Sequence, residues 1–291
     1  MNKVPIRVDG RFRLGDLLGP GLYSAVYHAR NIINDDNLAI KLEPLINNTS
    51  SLEHKYLLDL LGPSLHDLFI THNQKFSLHT VLNFGDQLLL SLEHIHLHNY
   101  VHGDIKPQNA LVDCGDLEQT IFIVDFGVVK EYWNTAAQAH MPFCHGGHLT
   151  GTPVFASINN HLGVVPGHCD DLKSLIYMLI YFLRSSLSWF TSDHKKLLTS
   201  SILACKVDTT IEDLCLGIPP EITTMLIYSH NLAFSEDPNY DYLRSLLHDS
   251  APSSHYTSSI PERSLSGQGG ASVSTEDNTS SQISLSCFMP T

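Results

Sequence analysis

The chain is short of positive charge. Its 291 residues hold 17 Lys and Arg against 30 Asp and Glu, a formal net charge of −13. That balance argues against the basic footprint that binding to nucleic-acid phosphates requires, so no nucleic-acid partner is expected. Long apolar runs are missing too. The longest, Leu175 to Leu183, falls well short of the roughly 20 residues that cross a bilayer. It reads as a buried helix, and no membrane association is expected. The six Cys include no C-x-x-C pair, which removes the commonest zinc and redox signatures. Cys144, His145, His148, His168 and Cys169 likewise lack the spacing of a zinc finger or ribbon. No signal-peptide pattern opens the sequence, and reduced thiols in a cytoplasmic and/or nuclear protein are expected. What is abundant is His, with 18, so the net charge becomes less negative in mild acid.

Hydrophobic content of 43% suits an ordinary globular chain with a sizeable core. Three strand-like runs occupy residues 12–43, broken at Gly19-Pro20-Gly21 and at Asn34-Asp35-Asp36-Asn37. From Ser64 the pattern turns helical, with Leu78, Val81, Leu82, Leu88, Leu89 and Leu92 on one face. Two short strands follow, Ala110–Val112 and Ile121–Val124. Further helices are predicted over 171–182, 195–203, 220–232 and 240–247. After Asp249 the composition shifts to Ser, Thr, Gly and Pro. Such a segment buries too little apolar surface to offset its ordering entropy, so 250–291 is expected to be a disordered Ser-rich tail.

Two blocks carry chemistry. The first is Tyr100-Val101-His102-Gly103-Asp104-Ile105-Lys106-Pro107-Gln108-Asn109, and the second is Asp125-Phe126-Gly127. Either alone is weak; in this order and with strand-like flanks, they match the catalytic loop and metal-binding turn of a protein kinase. The residue types suit phosphoryl transfer. A carboxylate (Asp104) orients the acceptor hydroxyl, Asn109 and Asp125 offer oxygens to Mg2+, and Lys106 offsets charge on the transferred group.

Other blocks extend the likeness: Leu60-Leu61-Gly62-Pro63-Ser64-Leu65, Leu149-Thr150-Gly151-Thr152, Phe155-Ala156-Ser157-Ile158-Asn159 with His161-Leu162-Gly163, and Pro238-Asn239-Tyr240-Asp241-Tyr242-Leu243. From about Phe12 to Leu247 the chain resembles the casein kinase I family of Ser/Thr protein kinases, whose S-I-N block stands where most kinases have A-P-E. The resemblance implies an α+β, bilobal protein-kinase fold with a shortened β-rich N-lobe and a helical C-lobe. Its implied limits are an N-terminal extension (1–11), an N-lobe (12–58), a hinge (59–62) and a C-lobe (63–249). It implies ATP and Mg2+ as cofactors, protein substrates and a monomer. Residue by residue, it implies that Gly19 and Gly21 belong to the phosphate-covering loop and that Lys41 anchors the phosphates. Asp59 and Leu61 would meet adenine through their backbone, with Leu58 as gatekeeper. Asp171 would brace the catalytic loop.

Four departures stand out. Ser24 takes the third glycine position. Gly103 replaces an Arg that answers a phosphorylated activation loop, which predicts independence from such phosphorylation. The stretches 142–148 and 166–169 lack the cations that hold an acidic or pre-phosphorylated substrate. Most serious, roughly two dozen residues are missing between Lys41 and the hinge, judged by ordinary element lengths. In this register Ser51–Tyr56 begins the helix that should pair a glutamate with Lys41. Lys55 then takes the glutamate's place, and Glu53 lies on a different helix face. Three readings therefore stay open: an active kinase, a pseudokinase that binds nucleotide or acts as a scaffold, or a coding sequence that has lost an exon.

Overall fold

A computed structural model describes residues 7–8, 10–20, 25–44, 52–114, 120–145, 147–190 and 198–249. The expectations for Gly21, Ser24 and the 250–291 tail fall outside them. The fold has two parts. The first is a five-stranded antiparallel sheet in the order β1 (Arg7–Val8), β2 (Phe12–Pro20), β3 (Ala25–Asn31), β4 (Asn37–Pro44) and β5 (Leu52–Leu58). Its small core joins Val8, Phe12, Ala29, Ile40 and Leu42. The sheet begins before Phe12, because β1 pairs with β2 and places Val8 in that core.

The second part is mostly helical. It contains α1 (Leu65–Thr71), α2 (Leu78–Leu97), β6 (Tyr100–Val101), β7 (Ala110–Val112), β8 (Ile121–Ile123), β9 (Lys130–Glu131), β10 (Trp133–Asn134) and β11 (Ala139–His140). Then come α3 (Ile158–His161), α4 (His168–Arg184), α5 (Thr199–Asp208), α6 (Ile211–Leu214), α7 (Pro220–Asn231) and α8 (Tyr240–Asp249). Local chemistry sets several starts. Ser64 accepts from the Asp67 N–H at 3.2 Å while Asp67 accepts from the Ser64 N–H at 3.1 Å, a reciprocal cap on α1. Ser77 and Ser157 cap α2 and α3 through Thr80 and Asn160. The residues of α4 from His168 to Phe182 are buried on every face, as a helix at the centre of a core must be. No helix among the described residues is long and apolar enough to cross a membrane.

One expected element is not found among the described residues. The stretch read as the start of a helix is β5, antiparallel to β4 with Leu42 opposite Lys55 and Lys41 opposite Tyr56. No helix lies between β4 and β5 among the described residues. Only residues 45–51 separate these strands. The chain instead returns beside the strand it has just left, where the backbone groups of β4 find partners. Glu53 and Lys55 therefore lie in a strand rather than a helix.

Candidate active site

The loop read in the sequence as catalytic, His102 to Asn109, leaves β6 and is anchored from beneath by α4. Asp171, 1% exposed, accepts the His102 N–H at 2.7 Å and the Gly103 N–H at 2.8 Å on separate oxygens. It also accepts from His96 Nε2 at 2.9 Å. A carboxylate in that position fixes the tautomer, so His96 Nδ1 accepts the Tyr240 hydroxyl. Burial works against ionisation of Asp171, but the His96 hydrogen bond and the loop N–H groups outweigh it and hold the carboxyl below its ordinary range. His102 is fully buried, which pushes its pKa down. Its Nε2 donates to the Val124 carbonyl at 3.1 Å, tying the catalytic loop to the strand before Asp125.

Gly103 has φ +77°, and a Cβ there would sit 3.4 Å from the Val128 carbonyl. The left-handed backbone is the reason to favour glycine here. Gly103→Ala is expected to lower unfolding free energy by about 1–2 kcal/mol, read as a shift in the urea midpoint at constant slope. A neutral outcome would mean that the loop relaxes to negative φ. Opposite it, Gly151 has φ +82°, and a Cβ would lie 2.4 Å from the Gly103 carbonyl. These glycines let the 150–152 backbone approach the catalytic loop.

That approach organises Asp104. Its Oδ1 accepts the Thr152 N–H at 2.7 Å, while its Oδ2 accepts from Lys106 Nζ at 2.6 Å and Asn109 Nδ2 at 3.3 Å. Lys106 Nζ also donates to Thr152 Oγ1 at 3.0 Å. Asn109 sits in a 3₁₀ turn over Pro107–Asn109 and gives a second amide contact to the Asp104 carbonyl at 2.9 Å. With the amide engaged by Asp104, the side-chain oxygen of Asn109 is the atom suited to a cation. Asp125 follows β8 in a left-handed conformation, φ 67° and ψ 68°, a costly state for a non-glycine residue and one that recurs at functional sites. Its carboxylate is about half exposed and lies 3.9 Å from Lys41 Nζ.

Of the residues singled out in the sequence, Asp104, Lys106 and Asn109 come together, Lys41 meets Asp125, and Asp171 lies beneath them. Asp59 and Leu61 lie in the link between β5 and α1. Gly19 is in β2 opposite Val26. The family model for the protein kinase domain matches residues 45–157, from just after β4 to the start of α3. Over that stretch the chain is similar to the protein kinase domain. Its fold is the bilobal kinase fold, with antiparallel strands N-terminal and helices C-terminal.

Several residues that organise this site were not singled out as site residues in the sequence. Thr152 lay within a recognised block, Leu149–Thr152, but its contacts to Asp104 and Lys106 depend on the chain returning 48 residues later. His96 gave no local signal of a role, because one face of α2 looks like core packing whatever it touches. Among the described residues there is no group of three or more His, Cys, Asp or Glu side chains that could hold a metal ion. One carboxylate (Asp125) and one amide oxygen (Asn109) suit a divalent cation shared with a nucleotide, which takes few protein ligands.

Proposed function

We propose that the protein is a Ser/Thr protein kinase of casein kinase I type, moving the γ-phosphoryl group of ATP to a Ser or Thr hydroxyl of a protein substrate. The observation that carries this reading is the Asp104 carboxylate held between Lys106 and the Thr152 N–H. In the reaction, the bond from the γ-phosphorus to the bridging oxygen breaks and ADP leaves. The acceptor oxygen bonds to phosphorus, and its proton passes to Asp104. Lys106 would offset charge on the transferred group. Asn109 and Asp125 would hold Mg2+, which neutralises phosphate charge when bound. Lys41 would contact the phosphates, and the backbone of Asp59 and Leu61 the adenine. No Lys, Arg, Asp or Glu occurs from Tyr132 to Cys169. Acceptor recognition there proceeds through apolar and neutral polar groups rather than through cations for a phosphate.

Purified protein with Mg2+ and ATP is expected to phosphorylate Ser/Thr peptides, and Asp104→Asn to reduce turnover by roughly 10²–10⁴. Turnover that survives this substitution would sink the assignment. A second reading has its own observation. β5 runs beside β4 where the family places a helix, and Lys41 has the Asp125 carboxylate at 3.9 Å. A protein whose melting temperature rises with Mg2+-ATP but which transfers no phosphate would be a nucleotide-binding pseudokinase.

A further inference from the structure

Lys206, on α5, is 4% exposed. Its Nζ donates to the carbonyl of Pro153 at 2.9 Å and to that of Ala156. The same ammonium lies 5.2 Å from the ring centre of Tyr177 and 5.0 Å from that of Trp189. A buried cation carries a heavy desolvation cost, offset here by carbonyl dipoles and two ring faces. Burial pushes the Lys206 pKa down to about 7. The surrounding bonds serve the same stretch of chain. Trp189 Nε1 donates to the Val154 carbonyl at 2.8 Å, and His161 Nε2 donates to the Pro153 carbonyl at 2.9 Å. The carbonyls of 153, 154 and 156 are thus all held from the helical side.

Thr152 is the residue just before this fastened stretch, and it makes the direct contacts to Asp104 and Lys106. We propose that Lys206 is a positioning residue: it fastens residues 153–156 so that Thr152 holds the Asp104 carboxylate and the Lys106 ammonium in place. The segment then reaches its working position by a buried ammonium within the fold and needs no phosphate to hold it. The part of this inference that concerns turnover rests on the kinase reading above; the part that concerns the segment does not.

The test uses the full chain as wild type, Lys206→Met and Trp189→Phe, followed by hydrogen exchange and by transfer kinetics. Lys206→Met is expected to speed amide exchange at least 10-fold in peptides covering 150–157, with α2 and α4 unchanged. Its kcat should fall at least 10-fold while the KM for Mg2+-ATP stays within twofold. Trp189→Phe keeps a ring face but removes the N–H to Val154, and should speed exchange in the same peptides by a smaller factor, 2- to 5-fold. Should Lys206→Met fail to fold, Trp189→Phe decides alone. Exchange over 150–157 that matches wild type, or acceleration spread evenly through the helical part, would overturn the proposal. A wild-type protein that transfers no phosphate would end the kinase reading, while the exchange data would still decide what Lys206 does.

Discussion

Asp171→Ala is expected to lower unfolding free energy by about 3–5 kcal/mol, the range seen when one member of a buried charged network is removed. The loss follows from the donors left behind. The His102 and Gly103 N–H groups and His96 Nε2 all give their hydrogen bonds to this carboxylate. Each would be stranded among buried residues, where an unmade bond costs about 1–3 kcal/mol. Asp171→Asn keeps one acceptor oxygen but presents an amide where a donor already stands, so it should recover only part of the loss. Urea unfolding monitored by tryptophan fluorescence reads the difference directly. Hydrogen exchange should show the 100–106 loop opening first. A cost below about 1 kcal/mol, within the range of an ordinary hydrogen bond, would mean that the loop is held by something other than this carboxylate.

Acid should destabilise the protein well above the pH at which carboxylates titrate, through His168. Its ring stacks on His96 at 4.5 Å and meets the edge of Tyr132 at 4.0 Å. Its Nδ1 is 3.4 Å from the Glu236 carbonyl and 3.8 Å from the Asp237 carboxylate, while the buried Nε2 has no hydrogen-bond partner. Burial and then the neighbouring His96 push the His168 pKa down to about 4; the Glu236 carbonyl and the Asp237 and Asp171 charges oppose this only partly. Unfolded, the same imidazole takes up its proton near 6.5. Between these values the unfolded chain binds a proton that the folded chain refuses. Stability from the neutral ring is therefore complete above about pH 6.5 and is lost progressively as the pH falls toward 4. The full loss is roughly 3 kcal/mol. Buried His102, also pushed down, adds a contribution of the same sign. Thermal melts across pH 7 to 4 should fall steeply for wild type and less steeply for His168→Phe. Equal slopes would remove His168 as the cause.

The helical part was legible because its signals are local. Leu78 to Leu92 recur at helical spacing, and α2 buries Val81, Leu82, Leu88, Leu89 and Leu92. Ser64 and Ser77 cap the helices they precede. The paired strands β7 and β8 stand where short apolar runs flank a turn. In the N-terminal sheet the same reasoning found the strand runs but misread 51–56. Leu-Glu-His-Lys-Tyr-Leu-Leu has no strong preference of its own, and its state is decided by what lies beside it. Family likeness pointed to a helix; pairing with the edge of β4 made it a strand.

By itself, the sequence determined the chemistry on offer. The types and spacing of Asp104, Lys106, Asn109 and Asp125 are covalent facts about one stretch of chain, and the helices around them follow from periodicity and caps. Tertiary structure alone decided how those groups are held. It placed Thr152 on Asp104, Asp171 beneath the loop, Lys206 behind residues 153–156, and Asp125 beside Lys41. Each of these contacts joins residues dozens of positions apart, through burial and hydrogen-bond geometry that exist only once the core has packed. No local pattern encodes them, because the free energy of each contact depends on the desolvation that all the others create.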